Sequence, residues 1–145
     1  MATQSRQLLE SLFRSAVGAA HPWHCLPPHL PEPPAAGRLV VLAAGKAGGS
    51  LAEVAERHYL ARVPANRLEG IAVTRHGYGR PTRHIRMVEA GHPVPDAAGL
   101  AGAETMLALA DEADAGDLVL VLLSGGASAN LIAPANGITL ADKQA

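Results

Sequence analysis

The run Arg38–Ser50, RLVVLAAGKAGGS, constrains this chain more tightly than any other stretch. Leu39 to Ala43 are apolar without interruption and lead into Gly45-Lys46-Ala47-Gly48-Gly49, after which small-residue helical sequence follows. A short apolar run bounded by glycines reads as a strand buried on both faces, the kind that parallel sheets contain. The glycines permit a tight turn and are expected to leave backbone N–H groups uncovered at the start of the next helix. With the charge of Lys46 added, such a turn suits a phosphate or a carboxylate. The plainer reading is a tight βα turn with a solvated lysine, and the motif alone does not separate the two. The standard nucleotide fingerprints do not fit. A P-loop would need glycine where Val40 stands and Ser or Thr where Ala47 stands. The dinucleotide pattern G-x-G-x-x-G fails because Ala47 occupies its second glycine.

A second run has the same form. Leu118–Leu123, introduced by Gly116-Asp117, is the strongest strand signal and enters Ser124-Gly125-Gly126-Ala127-Ser128-Ala129-Asn130. Two apolar strands that each open into a glycine-rich loop predict a shared site at the carboxyl edge of a parallel sheet, where open α/β folds bind ligands. The expected fold class is therefore α/β, with helices packed on a mostly parallel sheet.

Composition narrows the partners. The chain has 145 residues, enough for one domain with a sizeable core, and is 48% hydrophobic but only 3% aromatic, so Ala, Leu, Val and Gly must carry the packing. A net charge of −1 and the lack of a basic, aromatic-interleaved patch argue against nucleic acid. No apolar run is long enough to cross a membrane, and the start of the chain lacks a signal-type apolar core. The lone Cys25 rules out an internal disulfide framework and fits a reducing cytoplasm, which is the expected location.

The remaining elements follow from periodicity and punctuation. Gln4 to Ala20 carries Leu8, Leu9, Leu12, Phe13, Ala16, Val17 and Ala20 at helical spacing, with Arg6, Glu10 and Arg14 on the wet side. Pro22 to Gly37 contains six prolines and is expected to be an extended arm without regular structure, with Trp23 tucked inward. His21, His24 and Cys25 lack a second ligand cluster, so no metal is expected there. Ser50–Leu60 should be helical with Leu51, Val54, Ala55 and Tyr59 inward. Gly70–Thr74 should be a strand that exits into the polar loop Arg75-His76-Gly77-Tyr78-Gly79-Arg80-Pro81. Ile85–Ala90 is a third strand, followed by Gly91-His92-Pro93-Val94-Pro95-Asp96, with Asp96 as N-cap of a helix over Ala97–Ala113. Thr139-Leu140-Ala141-Asp142 is a capping-box pattern with only three residues after it. A helix announced and then cut short is expected of the front part of something longer.

Several chemistries suit these residues. Lys46 and the loop amides could hold phosphoryl oxygens while a hydroxyl attacks, since phosphoryl transfer needs mainly positioning and positive charge. Arg75 at a strand tip could receive the 2′-phosphate of NADP in a dehydrogenase, although the glycine fingerprint is missing. Ser128 could be a hydrolase nucleophile, but G-x-S-x-G is not matched by Gly126-Ala127-Ser128-Ala129-Asn130. A module that binds an acidic metabolite without turnover is the non-enzymatic alternative.

The series AAGKAG, VTRHGYG, AGHPVPD, LLSGGAS and GITLADKQ, in this order along nearly the whole chain, resembles the glycerate 2-kinase family. Members of that family have an N-terminal Rossmann-like domain and a C-terminal MOFRL domain, and some bacterial members carry an older hydroxypyruvate reductase label. The resemblance implies a Rossmann-like three-layer α/β sandwich, with residues 1–145 as the N-terminal portion of that domain, incomplete at its C-terminus and lacking the MOFRL domain. It implies ATP-dependent phosphorylation of glycerate to 2-phosphoglycerate, with ATP and Mg²⁺ as cofactors. NAD(P)-dependent hydroxypyruvate reduction is the alternative. By the resemblance, Lys46 is catalytic. Gly45, Gly48, Ser124, Gly125, Gly126, Ser128, Arg75 and His92 would line the substrate and phosphate cleft, and no residue is assigned to a metal. The family loop usually reads S-G-G-G-S-A-L, so Ala127 and Asn130 depart from it, and alanine is expected to disturb any positive φ at its position. If the sheet takes further strands from downstream sequence, an exposed edge and self-association, including homo-oligomers, are expected.

Overall fold

In a computed structural model, which describes residues 2–145, the chain forms one four-stranded, all-parallel sheet in the order β3-β2-β1-β4. The elements are α1 (Ala2–Ala20), α2 (Pro22–Cys25), β1 (Leu39–Ala44), α3 (Gly48–Leu60), β2 (Leu68–Arg75), β3 (Ile85–Ala90), α4 (Ala97–Asp111), β4 (Leu118–Leu123), α5 (Ala127–Asn130) and α6 (Leu140–Gln144). Leu39 pairs with Leu68 on one side and with Leu118 on the other, so β1 lies in the middle of the sheet.

Strand period sorts the core into two halves. Leu39, Val41 and Ala43 pack with Ala52, Ala55 and Tyr59 of α3, and Leu68, Ala72, Ile85 and Leu122 complete that layer. Val40, Leu42 and Ala44 face the other way, with Ile71, Val73 and Ala90, against Met106 of α4. All six residues of β1 are buried, as a strand covered on both faces requires. Small residues allow this closeness: a Cβ on Gly102 of α4 would stand 2.8 Å from Val73. The result is the expected three-layer α/β arrangement, with helices on both faces of a parallel sheet.

The arm between α1 and β1 is more regular than its prolines suggest. Pro22 occupies the first turn of a short helix, where a missing N–H costs nothing, and His21 caps that turn by accepting the Trp23 amide on Nδ1 at 3.3 Å. A 3₁₀ turn follows over Pro27–His29. The arm is held by the Tyr59 hydroxyl, which donates to the Pro31 carbonyl at 2.8 Å. Arg67 adds bonds to the carbonyls of Pro34, Ala35 and Gly37. Trp23 is not tucked inward. It is 37% exposed, with the Arg57 guanidinium 4.6 Å from its ring centroid, because Pro22 takes the buried place beside it.

The periodicity of α1 predicts an apolar face, and that face has no cover among the described residues. Leu8, Leu9, Leu12 and Phe13 are each more than half exposed, and α1 meets chiefly the short α2. Helical spacing fixes which residues share a stripe but not what the stripe packs on. At one edge of the sheet, Val121 and Leu123 of β4 are also exposed. No helix among the described residues is long and apolar enough to cross a membrane.

Candidate active site at the carboxyl edge of the sheet

The carboxyl ends of β1 and β4 are adjacent in register, Ala44 beside Leu123, so their two glycine-rich loops start side by side. Gly45 has φ +109°, and a Cβ there would fall on the carbonyl and hydroxyl of Ser124. Only glycine fits that crossing. The loops are tied by two bonds: the Lys46 amide donates to the Gly125 carbonyl at 2.9 Å, and the Ala47 amide to Ser124 Oγ at 2.9 Å. Gly48 abuts β2, where a Cβ would lie 2.7 Å from the Val73 carbonyl. The buried hydroxyl of Thr74 reaches the Lys46 carbonyl at 3.4 Å.

These bonds narrow one expectation. In the turn after β1, Gly45, Lys46, Ala47 and Gly48 donate to Val73, Gly125, Ser124 and Gly45 respectively, and the amides left without an acceptor among the described residues at the start of α3 are those of Gly49 and Ser50. The longer row of open amides is on the other loop. Those of Gly125, Gly126, Ala127 and Ser128 have no acceptor among the described residues. Sequence could not distinguish the loops, since which amides are taken depends on contacts across 77 residues.

Gly126 is where the candidate residues meet. Its φ is +89°, and a Cβ there would stand 2.9 Å from His92 Nε2 and 3.0 Å from Lys46 Cγ. His92, from the loop after β3, and Lys46, from the loop after β1, therefore flank the same glycine of the loop after β4. Lys46 is exposed and makes no ion pair among the described residues, so its charge is available to a ligand. The alanine at 127 does not meet the strain expected of it. Gly126 takes the left-handed conformation, and Ala127 begins α5 with no positive φ.

The other candidates lie further out. Arg75 ends β2 with its guanidinium 3.5 Å from the Tyr78 ring centroid, and its Nε is buried without a partner. The loop beyond it is pinned by Glu89, which accepts the amides of Gly77 at 3.0 Å and Gly79 at 2.7 Å. Those two bonds hold its carboxyl below the usual range. Ser128 is exposed and also lines a separate cavity of about 280 Å³ with Leu131, Ile132, Pro134, Ile138 and Lys143. Asn130 is fully buried at the end of α5, and neither end of its amide has a partner.

Asp96, read from the sequence only as a helix cap, does more. It caps α4 by accepting the Gly99 amide at 2.9 Å, and Oδ2 accepts from His76 Nε2 at 2.8 Å. Burial pushes its carboxyl up, but bonds from the Gly91 and Gly99 amides and from His76 outweigh that and leave it below its ordinary value. Among the described residues no group of three or more His, Cys, Asp or Glu could hold a metal ion.

Comparison with known proteins decides the family. Residues 8–145 match the family described as a domain of unknown function, DUF4147. The chain belongs to it, as the N-terminal part of the glycerate 2-kinase family. An Agrobacterium vitis relative with a provisional hydroxypyruvate reductase name is 40% identical over 97% of this chain and 31% of its own length. The glycerate 2-kinase of Pyrococcus horikoshii is 38% identical over 73% of this chain and 23% of its own. The crystal structure of glycerate kinase from Thermotoga maritima superposes with a TM-score of 0.76 at 27% identity, covering 97% of this chain and 33% of that one. The chain thus spans about a third or less of the length of these family members.

Proposed function

We propose that this chain supplies the phosphoryl-binding cleft of an ATP-dependent glycerate 2-kinase. One observation carries the reading: Lys46 and His92 converge on Gly126, beside four loop amides that have no internal acceptor. Bare amides and an unpaired ammonium are what an anionic group with spreading charge requires. The glycerate 2-kinases among its relatives support the reaction class.

The residues present fit an anionic group, because the cleft at Gly126 is a cradle that a single Cβ would fill. The amides of Gly125, Gly126, Ala127 and Ser128 would hold phosphoryl oxygens. Lys46 would neutralise their charge, and His92 would close the side of the cleft opposite Lys46. ATP supplies the transferable phosphoryl group when bound. The chain's own part is to hold the transferring phosphoryl in a fixed, positively charged frame. Arg75, at the tip of the neighbouring strand, suits the carboxylate of the acceptor. The described residues do not fit a protein-held Mg²⁺, since Glu89 and Asp96 are committed to amides and His76. We assign no step to a metal ligand in this chain.

The reductase alternative has less support. A dinucleotide pyrophosphate would need the G-x-G-x-x-G fingerprint after β1, and Ala47 stands at its second glycine.

The test is turnover. The protein carrying this chain is incubated with ATP, Mg²⁺ and D-glycerate, and phosphoglycerate is followed by mass spectrometry beside Lys46→Ala. Product from the parent and at least a hundredfold less from the variant supports the assignment. No product, together with NADPH-dependent reduction of hydroxypyruvate, overturns it.

A further inference from the structure

Gly91 to Asp96 joins β3 to α4 and carries His92 into the cleft. A free loop of this kind would leave the ring mobile, yet the structure closes it at both ends through one side chain. The Asp96 carboxylate accepts the amide of Gly99 in the first turn of α4 and lies against Gly91, immediately before His92. Gly91 is packed against it, since a Cβ at that position would lie 3.2 Å from Asp96 Cγ and would strike the Val94 carbonyl. The carboxylate's second oxygen accepts from His76 Nε2 at 2.8 Å, and the His76 amide donates to the Ala90 carbonyl at 3.1 Å. The loops after β2 and β3 and the start of α4 are therefore joined at one carboxylate.

A helix cap needs only one acceptor, and Asn, Ser or Thr provides it as well as Asp. The bond to His76 and the packing against Gly91 go beyond that need, and both act on the segment that presents His92 to Gly126 and Lys46. We infer that Asp96, with His76 as its partner, is the positioning residue that fixes the His92 ring against Gly126 in the cleft. It acts through His92 and touches no ligand itself. The part of the inference that concerns turnover rests on the kinase reading above, and the part that concerns geometry does not.

The test uses Asp96→Asn, which keeps an acceptor for Gly99 and so keeps the cap, with Asp96→Ala as the more severe change. The first readout is independent of activity: the nuclear Overhauser contact between the His92 ring protons and the Gly126 α-protons, together with exchange protection of the Gly99 amide. The expected result for Asp96→Asn is loss of at least half the contact intensity with Gly99 protection retained. His76→Gln should give the same result. In an active protein, kcat should fall about tenfold or more with KM within twofold, as a small misplacement of an aligned group costs. An unchanged His92–Gly126 contact in both Asp96→Asn and His76→Gln overturns the inference, whatever the activity. Absence of turnover in the parent would refute the kinase reading and leave the contact measurement to decide this one.

Discussion

Ser124 Oγ accepts the Ala47 amide at 2.9 Å and reaches back to the Ala44 carbonyl at 3.4 Å, so one hydroxyl joins the ends of β1 and β4. The cleft is one surface because of that bond and its neighbour from Lys46 to Gly125. Ser124→Ala leaves the Ala47 amide without an acceptor in a half-buried place, at a cost of about 1–3 kcal/mol. Urea unfolding should show that loss, and hydrogen exchange at the Ala47 amide should accelerate. An unfolding midpoint equal to the parent's would show that solvent replaces the bond.

Gly125 and Gly126 are adjacent, yet substitution should separate them. Gly126→Ala places a methyl on His92 and Lys46 and forces alanine into φ +89°. The backbone term alone is about 1–2 kcal/mol, and binding of inorganic phosphate or ATP should weaken with it. Gly125 has no positive φ and nothing within 4 Å of its missing Cβ. Gly125→Ala should leave the unfolding midpoint within about 0.5 kcal/mol of the parent.

Acid should release the far edge of the sheet. Asp117 accepts the amides of Arg38 and Asp114 and the Arg38 guanidinium, and these hold its carboxyl at about 2. A carboxyl depressed by folding stabilises fully above its ordinary value of 3.8, and the contribution is lost as pH falls through about 2. Stability should therefore decline from near pH 4 downward, and Asp117→Asn should flatten that decline while lowering stability at neutral pH. A decline of equal slope in the variant would assign the acid limb to other groups.

Much of this fold was legible because its signals are local. The four apolar runs became the four strands, two with matching bounds, β1 longer by one residue and β2 by three. Asp96 and the Thr139–Asp142 capping box sit where short-range chemistry put them. What stayed hidden depends on distant contacts. Glu56 appears in the sequence as a helix charge, but it is buried and accepts the amides of Arg83, His84 and Ile85, fixing the start of β3. The ring position of Trp23, the bare stripe of α1 and which glycine loop keeps the longer row of open amides are long-range outcomes too. The convergence of Lys46 and His92 on Gly126 needed the strand order, which no motif spells out.

Asn130 is a buried amide whose Nδ2 and Oδ1 are both unpaired, and its backbone carbonyl lies close to Gly99. An unsatisfied buried polar group costs about 1–3 kcal/mol, and replacing it with an apolar side chain of similar size removes that cost. Asn130→Leu should raise the melting temperature. A lower melting temperature would mean that solvent or a ligand satisfies the amide in solution.

The apolar stripe of α1 contributes little to the stability of this fold. Phe13 is 69% exposed, so Phe13→Gln should shift the unfolding free energy by no more than about 0.5 kcal/mol. Ile71, fully buried between β1 and α4, should cost about 2–5 kcal/mol when changed to Ala. A large loss at Phe13 would show that the stripe is covered in solution.

The strand order has a consequence for synthesis on the ribosome. The sheet's middle strand, β1, is made first, and its second neighbour, β4, is made last of the four. A nascent chain ending at residue 113 would hold β1, β2, β3, α3 and α4, and so Lys46, Arg75 and His92, but it would lack Ser124 and the open amides. The two glycine-rich loops therefore come together in one step, when closure of a loop of nearly eighty residues brings Ser124 to Ala47. Until then Lys46 and His92 have no Gly126 to stand against.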